Sequence, residues 1–302
     1  QAELWSSPLV GSATIDALVD LDGDGTPELV AHSVSRAYVI DTSNGALRWA
    51  SPPEQIEILS AVRVRDLDGD GLPDLYLDNG IGPKPALAVA VAVSFAGGVA
   101  HELWAQPHAA WAGHVGSGSD ALLDLRGDGS TQIVLASHQS VWLADGATGS
   151  VFATVTLPNA SGNPYHHVRA IGAQLDGAGA RELLLVQPQS HELTQVEPSL
   201  SAYQVDVATG TSTLLWSASV GSYDAELLAR ADMVADLDGD GRNEVVYAAR
   251  IGAQWTTRVL DGATGTLIGE LAGARFEGAA DLDADGASEL VVAFPDALRA
   301  YS

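Results

Sequence analysis

Asp20-Leu21-Asp22-Gly23-Asp24-Gly25-Thr26-Pro27-Glu28 decides how the rest of the chain is read. Acidic side chains stand at positions 1, 3, 5 and 9 of this stretch, and Gly25 at position 6 lets the backbone turn sharply enough to gather their oxygens. Hard oxygen donors in that number suit Ca²⁺. An EF-hand would need Glu at position 12, where Ala31 stands, and a helix on either side. The flanks are Ala13-Thr14-Ile15-Asp16-Ala17-Leu18-Val19 and Leu29-Val30-Ala31, apolar and β-branched, so the loop is expected to join two strands.

The pattern recurs intact at Asp66, Asp68, Asp70 and Asp74, at Asp236, Asp238, Asp240 and Glu244, and at Asp281, Asp283, Asp285 and Glu289. Two further copies have decayed: one runs from Asp124 through Arg126 and Asp128 to Gln132, the other from Gln174 through Asp176 and Ala178 to Glu182. The six copies begin at 20, 66, 124, 174, 236 and 281, about 45 to 62 residues apart, a period that fits repeated blades of four short strands.

A second signature follows each third strand, as Asp41-Thr42-Ser43-Asn44-Gly45, Asp145 to Gly149, Asp206 to Gly210 and Asp261 to Gly265, with a weaker version in Ser94 to Gly98. Asp bonds the backbone two residues on and Gly accepts positive φ, so this is a hairpin turn. The fourth strand ends in Trp49, Trp104 or Trp216, read as anchors packing between neighbouring sheets and not as ligand contacts. The sixth unit stops after its third strand, and residues 2–5, ending in Leu4-Trp5, are expected to supply the fourth. The expected fold is therefore all-β, a six-bladed propeller of four-stranded antiparallel blades closed by its N-terminal strand. One domain, 1–302, would hold blades at about 14–50, 60–104, 118–156, 167–217, 229–271 and 275–302 with 2–6.

Composition supports this reading. Thirty-nine acidic against 14 basic residues give a net charge of −25, which would repel nucleic acid. Ca²⁺ in all four intact loops would bring the charge to about −17. The longest apolar run, residues 86–100, is too short to span a bilayer and contains Gly97 and Gly98, so no membrane insertion is expected. Sites of this kind bind calcium best where the ion is abundant, which favours a secreted or cell-surface protein. The absence of cysteine leaves the redox compartment open.

The four intact loops resemble the D-x-D-x-D-G-x-x-[DE] motif of the FG-GAP or integrin-α-like repeats, also called VCBS-type repeats, and the resemblance covers essentially the whole chain. It implies a calcium-binding β-propeller with about four structural ions. The ligands it implies are Asp20, Asp22, Asp24 and Glu28; Asp66, Asp68, Asp70 and Asp74; Asp236, Asp238, Asp240 and Glu244; and Asp281, Asp283, Asp285 and Glu289. The position-7 carbonyls of Thr26, Leu72, Arg242 and Ala287 would complete them. The decayed loops are expected to hold no metal, with Arg126 pairing to Asp124 or Asp128 in place of an ion. Six blades depart from the seven of integrin heads, so integrin ligand specificity does not transfer. Relatives serve adhesion, sugar binding and, in rhamnogalacturonan-lyase-like enzymes, polysaccharide cleavage, so the fold does not choose the function.

Carboxylates committed to Ca²⁺ make poor general bases, and repetition argues for scaffolding. Function is expected on the opposite face, where long connections at 105–118, 157–167, 187–199 and 217–228 cluster. His108, Trp111, His114, Tyr165, His166, His167, Arg169 and Tyr223 stand in or beside them, a mixture of aromatic faces and planar polar groups that suits a sugar. The expectation is a binding or adhesion module for a glycan or protein ligand, monomeric or part of a larger extracellular protein. The alternative is a lyase-like polysaccharide-degrading enzyme using the His, Tyr and Arg groups. The turn and Trp pattern also resembles quinoprotein dehydrogenase propellers, which lack this series of acidic loops and rank last.

Overall fold

The computed structural model describes residues 4–7, 12–52, 59–79, 88–107, 122–136, 140–157, 169–177, 181–187, 198–220, 226–228, 231–251 and 253–302. Among them the regular structure is β, apart from two short 3₁₀ turns at Ala96–Gly98 and Ala231–Met233. No helix is long and apolar enough to cross a membrane.

The strands form six antiparallel sheets. The first holds β1 (Thr14–Val19), β2 (Glu28–Ser33), β3 (Arg36–Asp41) and β4 (Leu47–Ala50); the second holds β5 (Leu59–Arg65), β6 (Asp74–Asn79), β7 (Ala88–Ser94) and β8 (His101–Pro107). The third holds β9 (Leu122–Leu123), β10 (Gln132–Ala136), β11 (Ser140–Asp145) and β12 (Val151–Thr156); the fourth holds β13 (Arg169–Ala173), β14 (Glu182–Gln187), β15 (Ser199–Asp206) and β16 (Thr211–Ser219). Each is a meander in which consecutive strands pair, so every acidic loop joins the first two strands of its sheet.

The last two sheets depart from four strands. In the fifth, β17 (Glu226–Leu228) and β18 (Val234–Ala235) both pair with β19 (Glu244–Ile251), which continues to β20 (Gln254–Asp261) and β21 (Leu267–Ala272). The 3₁₀ turn at Ala231–Met233 breaks what would be one first strand, and Met233 is fully buried. The sixth sheet has three strands, β22 (Arg275–Ala280), β23 (Glu289–Ala293) and β24 (Leu298–Tyr301). Of the segment expected to complete it, residues 2 and 3 lie outside the described residues, and residues 4–7 carry no strand.

Contacts divide the chain into two compact units: residues 1–117, 130–133 and 144–151, and residues 118–129, 134–143 and 152–302. In the first, Leu21, Val30, Val39, Leu75, Leu77 and Val91 form a core between the first two sheets. In the second, one core gathers Leu125, Val134, Leu143, Val155, Leu185 and Val205, and a larger one gathers Leu184, Leu200, Trp216, Tyr247, Leu260 and Phe276. The middle strands β14 and β19 are buried along both faces, which is why they read as unbroken apolar runs.

The hairpin turns match their reading. Gly45, Gly149, Gly210 and Gly265 each donate N–H to the carbonyl of the Asp that opens the turn, at 2.8 Å, and each has φ between 65° and 73°. Three tryptophans of the fourth-strand type pack as anchors. Trp104 and Trp216 donate Nε1–H at 2.7 Å to the carbonyls of Gly146 and Gly262, and their rings lie across Gly149 and Gly265 of the following turn. Trp49 meets Phe95 edge-to-face at 5.7 Å.

Candidate metal centres

Each intact loop is held open by its own backbone in the same way. The position-1 carboxylate accepts two amides: Gly23 and Gly25 on Asp20, Gly69 and Gly71 on Asp66, Gly239 and Gly241 on Asp236, and Ala284 and Gly286 on Asp281, at 2.6 to 3.1 Å. Oδ1 at position 3 accepts the position-5 amide, and Oδ1 at position 5 accepts the position-7 amide. The position-9 carboxylate reaches back to the position-2 amide, as Glu28 to Leu21 at 3.0 Å and Glu244 to Leu237 at 2.8 Å. These bonds use both oxygens of the position-1 carboxylate but only one at positions 3 and 9, leaving the second oxygen there outside the backbone's hold.

The result is four clusters whose ligand atoms lie within 4.8 Å of one another: Asp20, Asp22 and Glu28; Asp66, Asp68 and Asp70; Asp236, Asp238 and Glu244; and Asp281, Asp283 and Asp285. Donors that are all oxygen and mostly charged fit a hard divalent cation. Asp74 Oδ1 and Glu289 Oε1 are buried and have no hydrogen-bond partner, the condition of a ligand atom awaiting a cation. Burial pushes the Asp74 carboxyl above the usual carboxylate range, and the charges of Asp68 and Asp70 push it further. Burial, then Asp238, Asp236 and Asp240, do the same to Glu244.

The first loop differs. Arg48, on β4, donates Nη2–H to Asp22 Oδ2 at 2.6 Å and Nη1–H to Glu28 Oε1 at 2.5 Å. Its hydrogen bond holds the Asp22 carboxyl below the usual range. Nothing in the nonapeptide itself signals this residue.

Among the described residues neither decayed loop forms such a cluster. Asp124 still accepts the amides of Gly127 and Gly129, at 2.7 and 3.1 Å. The expected pairing of Arg126 with Asp124 does not form, and both oxygens of Asp124 accept amides of its own loop. Arg126 is exposed and lines a cleft of about 510 Å³ with Gln204, Asp206, Thr211 and Thr213. In the fourth loop Glu182 is buried and accepts the Leu175 amide at 2.7 Å, while Ala178 lies outside the described residues.

Position 8, which is not a ligand, straps one loop to the one before it. Thr131 Oγ1 donates to Asp66 O at 2.8 Å, Arg181 N to Leu125 O at 2.9 Å, Asn243 Nδ2 to Gln174 O at 2.5 Å and Ser288 N to Asp236 O at 2.7 Å.

Of the residues expected on the ligand face, His108, Trp111, His114, Tyr165, His166, His167 and Tyr223 lie outside the described residues. Arg169 opens β13 and is half-buried. His32, from the same group of connections, is held by Asp16 at 2.8 Å; Asp16 is the residue that β1 bulges out opposite β2.

Residues 17–77, which include the first two loops, match the FG-GAP-like repeat. No curated protein matches the chain in sequence. Among solved structures it is similar to the Bacillus licheniformis rhamnogalacturonan lyase PL11, at 18% identity and a TM-score of 0.34, over 93% of this chain and 55% of that one. It is also similar to the β-propeller domain of Myceliophteria thermophila Cps50 (Swd1), at 11% identity and 0.46, over 95% and 83%. The V. cholerae biofilm matrix protein Bap1 aligns at 13% identity and 0.36, over 92% and 73%. The chain thus spans little more than half the length of the lyase.

Proposed function

Because residues 17–77 carry an FG-GAP-like repeat, we propose that the chain is an extracellular binding or adhesion module whose fold is a calcium-stabilised, six-bladed β-propeller. One observation carries the metal part: buried carboxyl oxygens at Asp74 and Glu289 stand without partners beside loops whose other acidic groups are already ordered by the backbone. Ca²⁺ bound there would supply charge neutralisation and cross-link each loop, not chemistry. The ligands are the position 1, 3, 5 and 9 side chains with the position-7 carbonyls.

The six-bladed ring rests on repetition. Six acidic loops lead into six sheets, and Trp5 lies across Gly45 as Trp104 lies across Gly149 and Trp216 across Gly265. In the latter two cases the Trp lies within the fourth strand of the preceding sheet, β8 or β16, so Trp5 stands where a residue of the fourth strand of a sixth blade would lie. All four residues of β24 are exposed, as an edge awaiting such a strand would be.

For the ligand we favour glycans. The long connections carry aromatic groups such as Trp111 and Tyr165, with Arg169 at the start of the strand that follows, a combination of the kind that holds sugars. The test is a glycan array probed with and without excess Ca²⁺, followed by incubation with any bound acidic polysaccharide. Binding without cleavage is expected; unsaturated uronate products would establish the lyase alternative, and no binding to any glycan would turn the proposal towards a protein ligand.

A further inference from the structure

The backbone takes one oxygen of each carboxylate at positions 3 and 9 in all four intact loops, leaving the second oxygen for a cation. In the first loop those second oxygens, Asp22 Oδ2 and Glu28 Oε1, are the two that Arg48 holds. The carboxylate side chains are only 6% and 2% exposed and the Arg48 side chain 24%, so this is a partly buried pair whose acidic side is shielded from water. A planar guanidinium with five donors bridges two carboxylates well, and it stays charged at any working pH. Arg258, Arg275 and Arg299, in the fifth and sixth sheets, pair with Glu270, Glu277 and Asp296 and not with loop carboxylates.

Register shows why. Trp49 pairs with Val39, Trp104 with Ala92 and Trp216 with Ala202, so these tryptophans are equivalent from sheet to sheet. The residue before each is Arg48, Leu103 and Leu215 respectively. Of these three sheets, only the first places a cation at that point. Nη2 of Arg48 also lies 3.4 Å from Gly98 O in the turn of the second sheet, which anchors the guanidinium from outside its own sheet.

We propose that Arg48 is the resident cation of the first loop, which is therefore ordered without calcium, and that the ion-holding loops are the second, fifth and sixth. A Ca²⁺ ion entering the first loop would have to expel a partly buried guanidinium and leave it beside a second positive charge. The count of three rests on the calcium reading above; the role of Arg48 does not.

The experiment is equilibrium dialysis of the chelator-stripped chain against Ca²⁺, counting bound ions per chain for wild type, Arg48→Leu, Asp22→Asn and Asp238→Asn. Arg48→Leu should gain one ion over wild type. Asp22→Asn should leave the wild-type count unchanged, whereas Asp238→Asn should lose one. In melting experiments, Arg48→Leu should fall below wild type in chelator and recover in excess Ca²⁺. An Arg48→Leu count equal to wild type overturns the assignment, as does loss of an ion in Asp22→Asn, and the latter decides the matter alone should Arg48→Leu fail to fold. A wild-type count of zero would instead remove the calcium proposal, and a gain of one ion by Arg48→Leu would still establish Arg48 as the resident cation.

Discussion

Trp216 lies so close across Gly265 that a Cβ added there would sit 2.5 Å from ring carbon Cδ2. The glycine also has φ +69°, which an L side chain adopts at a cost. Gly265→Ala should therefore destabilise by roughly 2–4 kcal/mol, combining backbone strain with overpacking. Gly241 has φ +85° but nothing within 4 Å of its Cβ position, so Gly241→Ala should cost only about 1 kcal/mol. Denaturant unfolding of the two variants measures the difference.

Calcium should act as a folding ligand. Ion at about 100 times its dissociation constant contributes roughly 2.7 kcal/mol per site to the native state. Chelation should lower the melting temperature by several degrees, and Asp238→Ala should abolish more of that calcium response than Asp128→Ala, whose loop has lost its cluster. Superimposable melting curves in chelator and in excess Ca²⁺ would count against a structural metal.

Glu182, in a loop that has lost two of its acidic positions, gives a pH dependence. Burial raises its carboxyl above the ordinary value, and the neighbouring Asp176 adds to the rise. Between the unfolded and folded values the native state binds more protons, so this group's contribution to stability grows as pH falls through that window and is lost as pH rises. Glu182→Gln keeps an oxygen for the Leu175 amide and removes the charge. The variant should melt higher than wild type near pH 7 and lose that advantage by about pH 4. A gap that does not change with pH would contradict this reading.

Trp5 tests the proposed ring. Removing residues 1–6 should uncover Gly45, leave the edge of β24 bare and promote aggregation. Light scattering and thermal melting of the truncated chain report both effects. A monomeric truncation of unchanged stability would argue against closure.

The acidic loops and the glycine turns were legible because each needs a particular residue at a particular place: positive φ for Gly45 and its counterparts, a carboxylate wherever an amide must be capped. Trp104 and Trp216 could be read as anchors because apolar bulk has few alternatives to packing, although they stand inside β8 and β16 and not at the strand ends expected. Arg48 was not legible, since it stands 20 residues beyond Glu28 and its meaning depends on how β4 registers against β3. The break in the first strand of the fifth sheet was hidden for a similar reason: the buried Met233 fixes a turn that no local pattern announces. Arg126 misled because an arginine in an acidic loop invites pairing, and the amides that had already claimed Asp124 are invisible in a linear reading.

The straps at position 8 run through repeats whose acidic pattern has decayed: Arg181 N still meets Leu125 O, and Asn243 still meets Gln174 O. Orientation is thus relayed from neighbour to neighbour by groups that take no part in holding an ion. A repeat can lose its acidic pattern and keep its strap to the neighbouring loop, so the inheritance of shape in this chain is separate from the inheritance of chemistry.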